Sequence, residues 1–275
     1  MAKAAKERPR SEVIMLVIQP LASMGVEYLA KWRVNPIWVV LTHAVLGLMA
    51  ALLLAQENTN LLWACALLLQ LKTLLDNMDG GLARATGQIT LMGRYFDTGM
   101  DFFVNVALFV ALSFYGSAWL SLLALILLTL ILSLDFNAER LYKQVHLAPA
   151  KELEPPIGAP MPIYQFFKGI YTLLFAPQDR LLEALDHGWF KRVARCDYQK
   201  APQDARLVWS DVFSTATLVN LGLSTQLLIL STCLLLGHPY WYVYSIFLQT
   251  AYVMVIQFLR AFRLRRYMRR NKHFA

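Results

Sequence analysis

Four aspartates carry the chemistry for which this sequence can be read. They stand in the segments Asp76-Asn77-Met78-Asp79-Gly80-Gly81-Leu82-Ala83-Arg84 and Gly93-Arg94-Tyr95-Phe96-Asp97-Thr98-Gly99-Met100-Asp101. An α-helix advances about 100° per residue, so Asp76, Asp79, Gly80, Ala83 and Arg84 share one face of a helix. Gly93, Asp97 and Asp101 share a face of the next. Four carboxylates this close repel one another, and an apolar setting raises the cost, so the arrangement implies divalent cations between the two helices. Cations there would neutralise an anionic ligand, and a carboxylate at the rim would serve as a base. Gly80, Gly93 and the small Ala83 leave bare backbone that either a ligand or a neighbouring helix can approach. Arg84 offers a fixed fork of donors to an anion.

The elements that must position these residues are apolar. Of 275 residues 57% are hydrophobic and 16% charged, a composition too apolar for an ordinary soluble domain. Runs long enough to cross a bilayer lie near residues 37–55, 61–75, 102–119, 120–134, 212–237 and 240–262. The second and third reach full length only by taking in part of the acidic motif. The expected fold is therefore all-α, a polytopic membrane protein with six transmembrane helices.

Charge gives the topology. Of the 26 Lys and Arg residues, six fall before the first run, two in the motif, ten between Arg140 and Arg206, and seven from Arg260 onward. The remaining one, Lys72, sits inside the second run. The connections near 56–60, at Gly116 and at 237–239 contain none. Basic residues concentrate on the cytoplasmic side, so the active site and both termini are expected to face the cytoplasm. The net charge of +8 then suits anionic lipid headgroups rather than nucleic acid. Cys65, Cys196 and Cys233 show neither disulfide nor metal spacing and read as reduced thiols.

A single membrane domain over 1–275 is expected, with two appendages. Residues 1–35 begin like a signal peptide, but Glu12, Pro20 and Glu27 interrupt the apolar stretch, so an interfacial amphipathic helix is the better reading. Residues 140–205 form a cytoplasmic insert between the fourth and fifth spans, with a proline-rich loop over 149–162. After it, Ile163, Phe166, Phe167, Ile170, Leu173 and Leu174 recur at helical spacing, for a helix lying on the membrane or packed on the catalytic helices.

The motif reads D-x2-D-G-x2-A-R-x8-G-x3-D-x3-D with every fixed position filled, and in this the chain resembles the CDP-alcohol phosphotransferase (CDP-alcohol phosphatidyltransferase) family. The resemblance implies that Asp76, Asp79, Asp97 and Asp101 hold one or two ions, Mg²⁺ or Mn²⁺, against the pyrophosphate of a CDP-linked donor. It implies that Asp101 deprotonates the acceptor alcohol, and that the protein is a homodimer. The leading expectation is transfer of a phosphatidyl group from CDP-diacylglycerol to a polar alcohol with release of CMP. The reverse pairing, a CDP-amino alcohol with diacylglycerol, is the alternative. An ion transporter would fit six helices with intramembrane charge, yet leaves the Gly-x-x-Ala-Arg spacing unexplained.

Residues outside the signature leave alternatives open. Lys72, one turn before Asp76, either offsets the acidic charge and touches donor phosphate or snorkels to the interface. Asn35 precedes Pro36 where the family often shows Pro-Asn-x-x-Thr; it is a nucleotide contact or a helix cap. His43, His146, His187, His238 and His273 show no ligand spacing and read as structural or solvated. Thr86, Thr90 and Thr98 lack a histidine base, which favours direct attack by the acceptor. A phosphorylated acceptor would need cations, for which Arg140, Lys143, Arg206 and Arg260 are the candidates, whereas Asp135 and Asp211 would suit an amine-bearing alcohol.

Overall fold

The computed structural model describes residues 18–146 and 161–270. Nearly all of the expected proline-rich loop and the first part of the N-terminal segment lie outside the described residues. Those described form helices and no strand. In chain order the α-helices are α1 (Gln19–Lys31), α2 (Pro36–Leu54), α3 (Leu62–Ala85), α4 (Leu91–Leu112), α5 (Ala118–His146) and α6 (Met161–Ile170). There follow α7 (Ala176–Ala194), α8 (Gln203–Trp209), α9 (Val212–Val219), α10 (Leu223–Leu235) and α11 (Trp241–Arg270).

Six stretches are long and apolar enough to cross a membrane: Pro36–Leu54, Thr59–Ala85, Leu91–Tyr115, Ala118–His146, Gln203–Leu235 and Trp241–Arg270. The expected number holds, and the boundaries move. α3 continues through the whole first half of the motif and α4 starts at Leu91, because the polar side chains turn inward and the helical backbone bonds continue past them. α5 runs twelve residues past the expected end at Leu134, to His146. Trp119 belongs to the fourth span, after a break at Gly116 and Ser117.

The fifth span is not one helix. It is broken at Ser210–Asp211 and again at Asn220–Gly222. Gly222 lies against α5, where a Cβ would stand 2.9 Å from Asp135 Oδ2, so the second break brings backbone close to that carboxylate.

Local signals set the starts that matter. Asn35 Oδ1 accepts from Ile37 N at 3.0 Å and Pro36 occupies the first turn of α2. Thr90 Oγ1 accepts from Gly93 N at 3.0 Å and so begins α4 just before its acidic face. At the opposite end the lysine-free turns are tied together: Tyr115 donates to Leu54 O at 2.9 Å and Tyr240 to Ser117 O at 2.7 Å. The three turns without Lys or Arg thus share one end of the bundle, as alternating spans require.

The largest buried cluster draws on α2, α3, α4, α5, α10 and α11, with Leu54, Leu69, Leu112, Val243 and Ile246 among its fully enclosed members. Polar bonds reinforce it. Gln70 Nε2 donates to Ser231 Oγ at 2.8 Å and Asn77 Nδ2 to Ser224 Oγ at 3.2 Å, joining α3 to α10 by contacts worth on the order of 1 kcal/mol each in lipid. Outward positions such as Trp38, Leu52, Trp63, Val110, Leu248 and Phe258 are exposed, as lipid contact demands.

The two appendages pack on the motif helices. α1 lays Ala22 and Val26 against Met78, Leu82 and Val39, with Val26 over Gly81, and leaves Leu21, Met24, Tyr28 and Trp32 exposed on its other side. The helix after the prolines packs on α4 through Phe167 and leaves Ile163, Phe166 and Leu173 exposed on its other side. Phe167 of α6 sits on Gly99 and meets Phe96 edge-on, with ring centroids 4.8 Å apart. The chain then widens into a π turn at Tyr171–Phe175, setting Tyr171 at a tilt against Tyr95 and Phe175 edge-on to Phe102.

Candidate metal centre

The acidic residues converge at the end of the bundle where α3 and α4 meet, and α2 supplies a partner. His43, fully buried on α2, places Nε2 3.1 Å from Asp79 Oδ2, 3.5 Å from Asp97 Oδ1 and 3.9 Å from Asp76 Oδ1. One ligand atom from each of these four residues lies within 4.8 Å of every other. Asp101 stands beside them, bound to a different cation: Lys72 Nζ is 2.7 Å from its Oδ1 and 4.0 Å from Asp76 Oδ1. Lys72 is fully buried, so it offsets the acidic charge and does not snorkel. Gly47 makes room for it, since a Cβ there would meet Lys72 Cδ at 3.2 Å and press into Val104.

Two cavities reach the motif from different sides. The larger, about 520 Å³, is lined by Asp76, Asn77, Gly81 and Arg84 from α3, by Glu27 of α1, by Asp135 and Glu139 of α5, and by the broken fifth span at Gly222 to Ser224. The smaller, about 230 Å³, is lined by Arg94, Thr98, Asp101 and Asn105 of α4, by Thr129, Ser133 and Phe136 of α5, and by Tyr171, Phe175 and Asp179. Asp135 and Leu223 line both and form the partition. In the smaller cavity Tyr171 donates to Asp179 Oδ2 at 3.3 Å and Gln178 Nε2 to Thr129 Oγ1 at 3.2 Å. Burial pushes the Asp179 carboxyl above its usual range, against hydrogen bonds from Ser133 and Tyr171 that hold it down.

The glycines separate by surroundings. A Cβ on Gly81 would meet Val26 Cγ2 at 2.9 Å, so that residue serves the packing of α1. Gly80 and Gly93 face no other helix: the nearest atoms to an added Cβ are Arg84 Nη1 and Thr90 Oγ1, each at 3.4 Å and each from the same helix end. Their bare backbone is open to a ligand. Ala83 is half-buried beside them, and Arg84 is exposed at the mouth of the larger cavity. Asn35 acts as the cap described above.

Three of the four cations expected to hold an acceptor phosphate are engaged by carboxylates. Arg140 pairs with Glu183 at 2.6 Å and Lys143 with Glu139 at 2.7 Å. Arg260 is buried, 2.7 Å from Asp186 Oδ1, donating to Trp209 O and stacked over the Trp209 ring. Arg206 sits on α8, which packs on α11. None of the four lines either cavity. Arg140 and Lys143 are matched by neighbouring carboxylates, and Arg260 docks the insert. Asp211 is likewise held by Arg263 at 2.7 Å.

Fold and site together define a polytopic membrane protein that gathers carboxylates from two adjacent spans at one end of its bundle. A family model for CDP-alcohol phosphatidyltransferase matches residues 33–190, more than half of the chain, and the chain belongs to that family. It is a transferase of phospholipid synthesis that moves a phosphatidyl or phosphoalcohol group from a CDP-alcohol. Neither the curated proteins nor the solved structures yield a match.

Members of the family use divalent metals, and the residues here fit one. The donor set is hard oxygen plus one imidazole nitrogen, it is drawn from three helices, and Asp97 Oδ1 is buried without a hydrogen bond of good geometry. Reading the sequence alone missed His43. The available signal was its place in the middle of an apolar run, where a polar side chain is expensive and needs a partner. Asn105 stands one turn past Asp101 on α4, a spacing that could have found it, whereas Tyr171 and Asp179 lie 70 and 78 residues from Asp101 and reach its cavity only through the fold.

Proposed function

We propose that this protein transfers a phosphatidyl group from CDP-diacylglycerol to a small, unphosphorylated polar alcohol and releases CMP. The observation that carries the reading is the pair of cavities on either side of the motif. The larger joins Asp76 and Arg84, the groups suited to a pyrophosphate. The smaller contains Asp101, and its other polar groups are hydroxyls, an amide and carboxylates, with Arg94 its sole cation. A space of about 230 Å³ suits a polyol or amino alcohol, so the acyl chains belong to the donor.

In this mechanism Asp76, Asp79, Asp97 and Asp101 make up the acidic site for one or two ions, Mg²⁺ or Mn²⁺. Bound cations supply charge neutralisation for the donor pyrophosphate. Gly80, Ala83 and Gly93 let the nucleotide lie close to the helix backbones, and Arg84 forks onto a phosphate. Lys72 holds one oxygen of Asp101, fixing the carboxylate at the wall of the acceptor cavity. The other oxygen takes the proton from the alcohol, whose oxygen attacks the phosphatidyl phosphorus; the bond to CMP breaks and CMP leaves with its phosphate. The active end faces the cytoplasm, where that soluble product must be discharged, and two such chains form the dimer that the family resemblance implies.

Purified protein incubated with CDP-diacylglycerol and a panel of alcohols should release CMP with inositol-, glycerol- or serine-like acceptors and less with their phosphates. Release that instead requires CDP-choline or CDP-ethanolamine with diacylglycerol would reverse the assignment of donor and acceptor.

A further inference from the structure

We propose that His43 is itself a ligand of a divalent cation, so that one ion of the site is bound through His43, Asp76, Asp79 and Asp97 and that position prefers a transition ion such as Mn²⁺ to Mg²⁺. The inference rests on the metal reading above and goes beyond it, because an all-carboxylate signature contains no nitrogen donor.

Three observations converge on the imidazole. His43 Nε2 is aimed at three carboxylates contributed by two other helices, at 3.1, 3.5 and 3.9 Å. Ligands bonded at about 2.1 Å to an octahedral ion stand roughly 3.0 Å apart when adjacent and 4.2 Å apart when opposite. A set spread over no more than 4.8 Å closes round one ion with small side-chain rotations. Second, the carboxylate that would complete an all-oxygen set, Asp101, is drawn aside by Lys72 at 2.7 Å and stands outside the four. Third, His43 Nδ1 is buried and makes no hydrogen bond among the described residues, so the ring serves no second polar partner that would explain a histidine in the middle of a span. The acidic cluster is what it serves.

Donor type then sets selectivity. Carboxylate oxygen accepts Mg²⁺, Ca²⁺ and Mn²⁺ alike, whereas imidazole nitrogen favours the first-row transition ions. Replacing one oxygen by nitrogen therefore shifts preference toward Mn²⁺. Nothing in the sequence spacing announces this, since His43 lies 33 residues before Asp76.

Electron spin-echo spectroscopy of the purified full-length protein loaded with one equivalent of Mn²⁺ reads the bond directly. The expected result is a ¹⁴N modulation from a coordinated imidazole that persists when the other four histidines are replaced by Gln and disappears in His43→Gln. Competition by Mg²⁺ should give a Mn²⁺ preference that falls roughly tenfold or more in His43→Gln. Should that variant fail to fold, the His43-only background decides the matter by the presence or absence of the modulation. Bound Mn²⁺ without nitrogen modulation would overturn the ligand assignment and leave the metal reading standing. Failure of the wild-type protein to bind Mn²⁺ would overturn both.

Discussion

At the scale of the residue, the site is a balance between four carboxylates and two buried bases. Lys72 binds Asp101 and reaches Asp76 at 4.0 Å, while His43 faces Asp76, Asp79 and Asp97, so Asp101 alone of the four stands apart from the histidine. That division predicts two kinds of loss. Asp76→Asn, Asp79→Asn and Asp97→Asn should each abolish CMP release, and chelation should do the same to the wild-type protein. Asp101→Asn should lose most of its turnover, a hundredfold or more on the scale of general-base catalysis, while keeping much of its affinity for the CDP donor. Donor binding and turnover measured on the same preparations separate the cases; CMP release that survives excess chelator, or unchanged turnover in Asp101→Asn, would refute these roles.

At the scale of the element, the insert is fastened by one buried knot. Asp186 of α7 accepts from Arg260 of α11 at 2.7 Å and from Trp209 Nε1 of α8 at 2.8 Å, while Arg260 Nε donates to Trp209 O at 3.0 Å. Removing one partner of a buried pair leaves an uncompensated charge, worth about 3–5 kcal/mol. Arg260→Ala should therefore lower the melting temperature and speed proteolysis in the turn at Tyr198–Lys200. Arg140→Ala, which breaks a partly exposed pair, should change stability by no more than about 1 kcal/mol. An Arg260→Lys protein that melts like wild type but needs far more acceptor would restore Arg260 to the acceptor site. How much was legible follows the same divide. The motif, the number of spans and the cap at Asn35 could be read from the sequence because each depends on neighbours a few residues apart. His43 in the cluster, Arg260 in the knot and the break at Asn220–Gly222 could not, because each is fixed by a helix remote in sequence. Charge alone even misled: Arg260 looked like a free cation at a helix end, and the structure shows its partner 74 residues away.

At the scale of the whole molecule, the bundle has two unlike ends. One carries the acidic cluster and the insert; the other is closed by short turns laced together through Tyr115 and Tyr240. If basic residues mark the cytoplasmic side, Gln199→Cys, exposed in the insert, should be labelled by an impermeant thiol reagent only from the cytoplasm. Asn58→Cys, in a lysine-free turn, should be labelled only from outside. Both are made after Cys65, Cys196 and Cys233 are replaced in an active protein. Labelling of Gln199→Cys in intact cells would invert the topology and with it the leaflet in which the donor is used.

The bond between Lys72 and Asp101 also bears on how the chain enters the bilayer. The stretch Thr59–Ala85 is the least hydrophobic of the six, with a mean hydropathy of 1.2, and by itself it carries the Lys72 ammonium into lipid with only Asp76, at 4.0 Å, to face it. Its partner is on the very next stretch, joined by a connection of a few residues. The two spans can cancel one charge against the other as a hairpin before any later helix is made, and before any ion is at hand. A newly synthesised chain can thus settle in the bilayer first and take up its ligands afterwards.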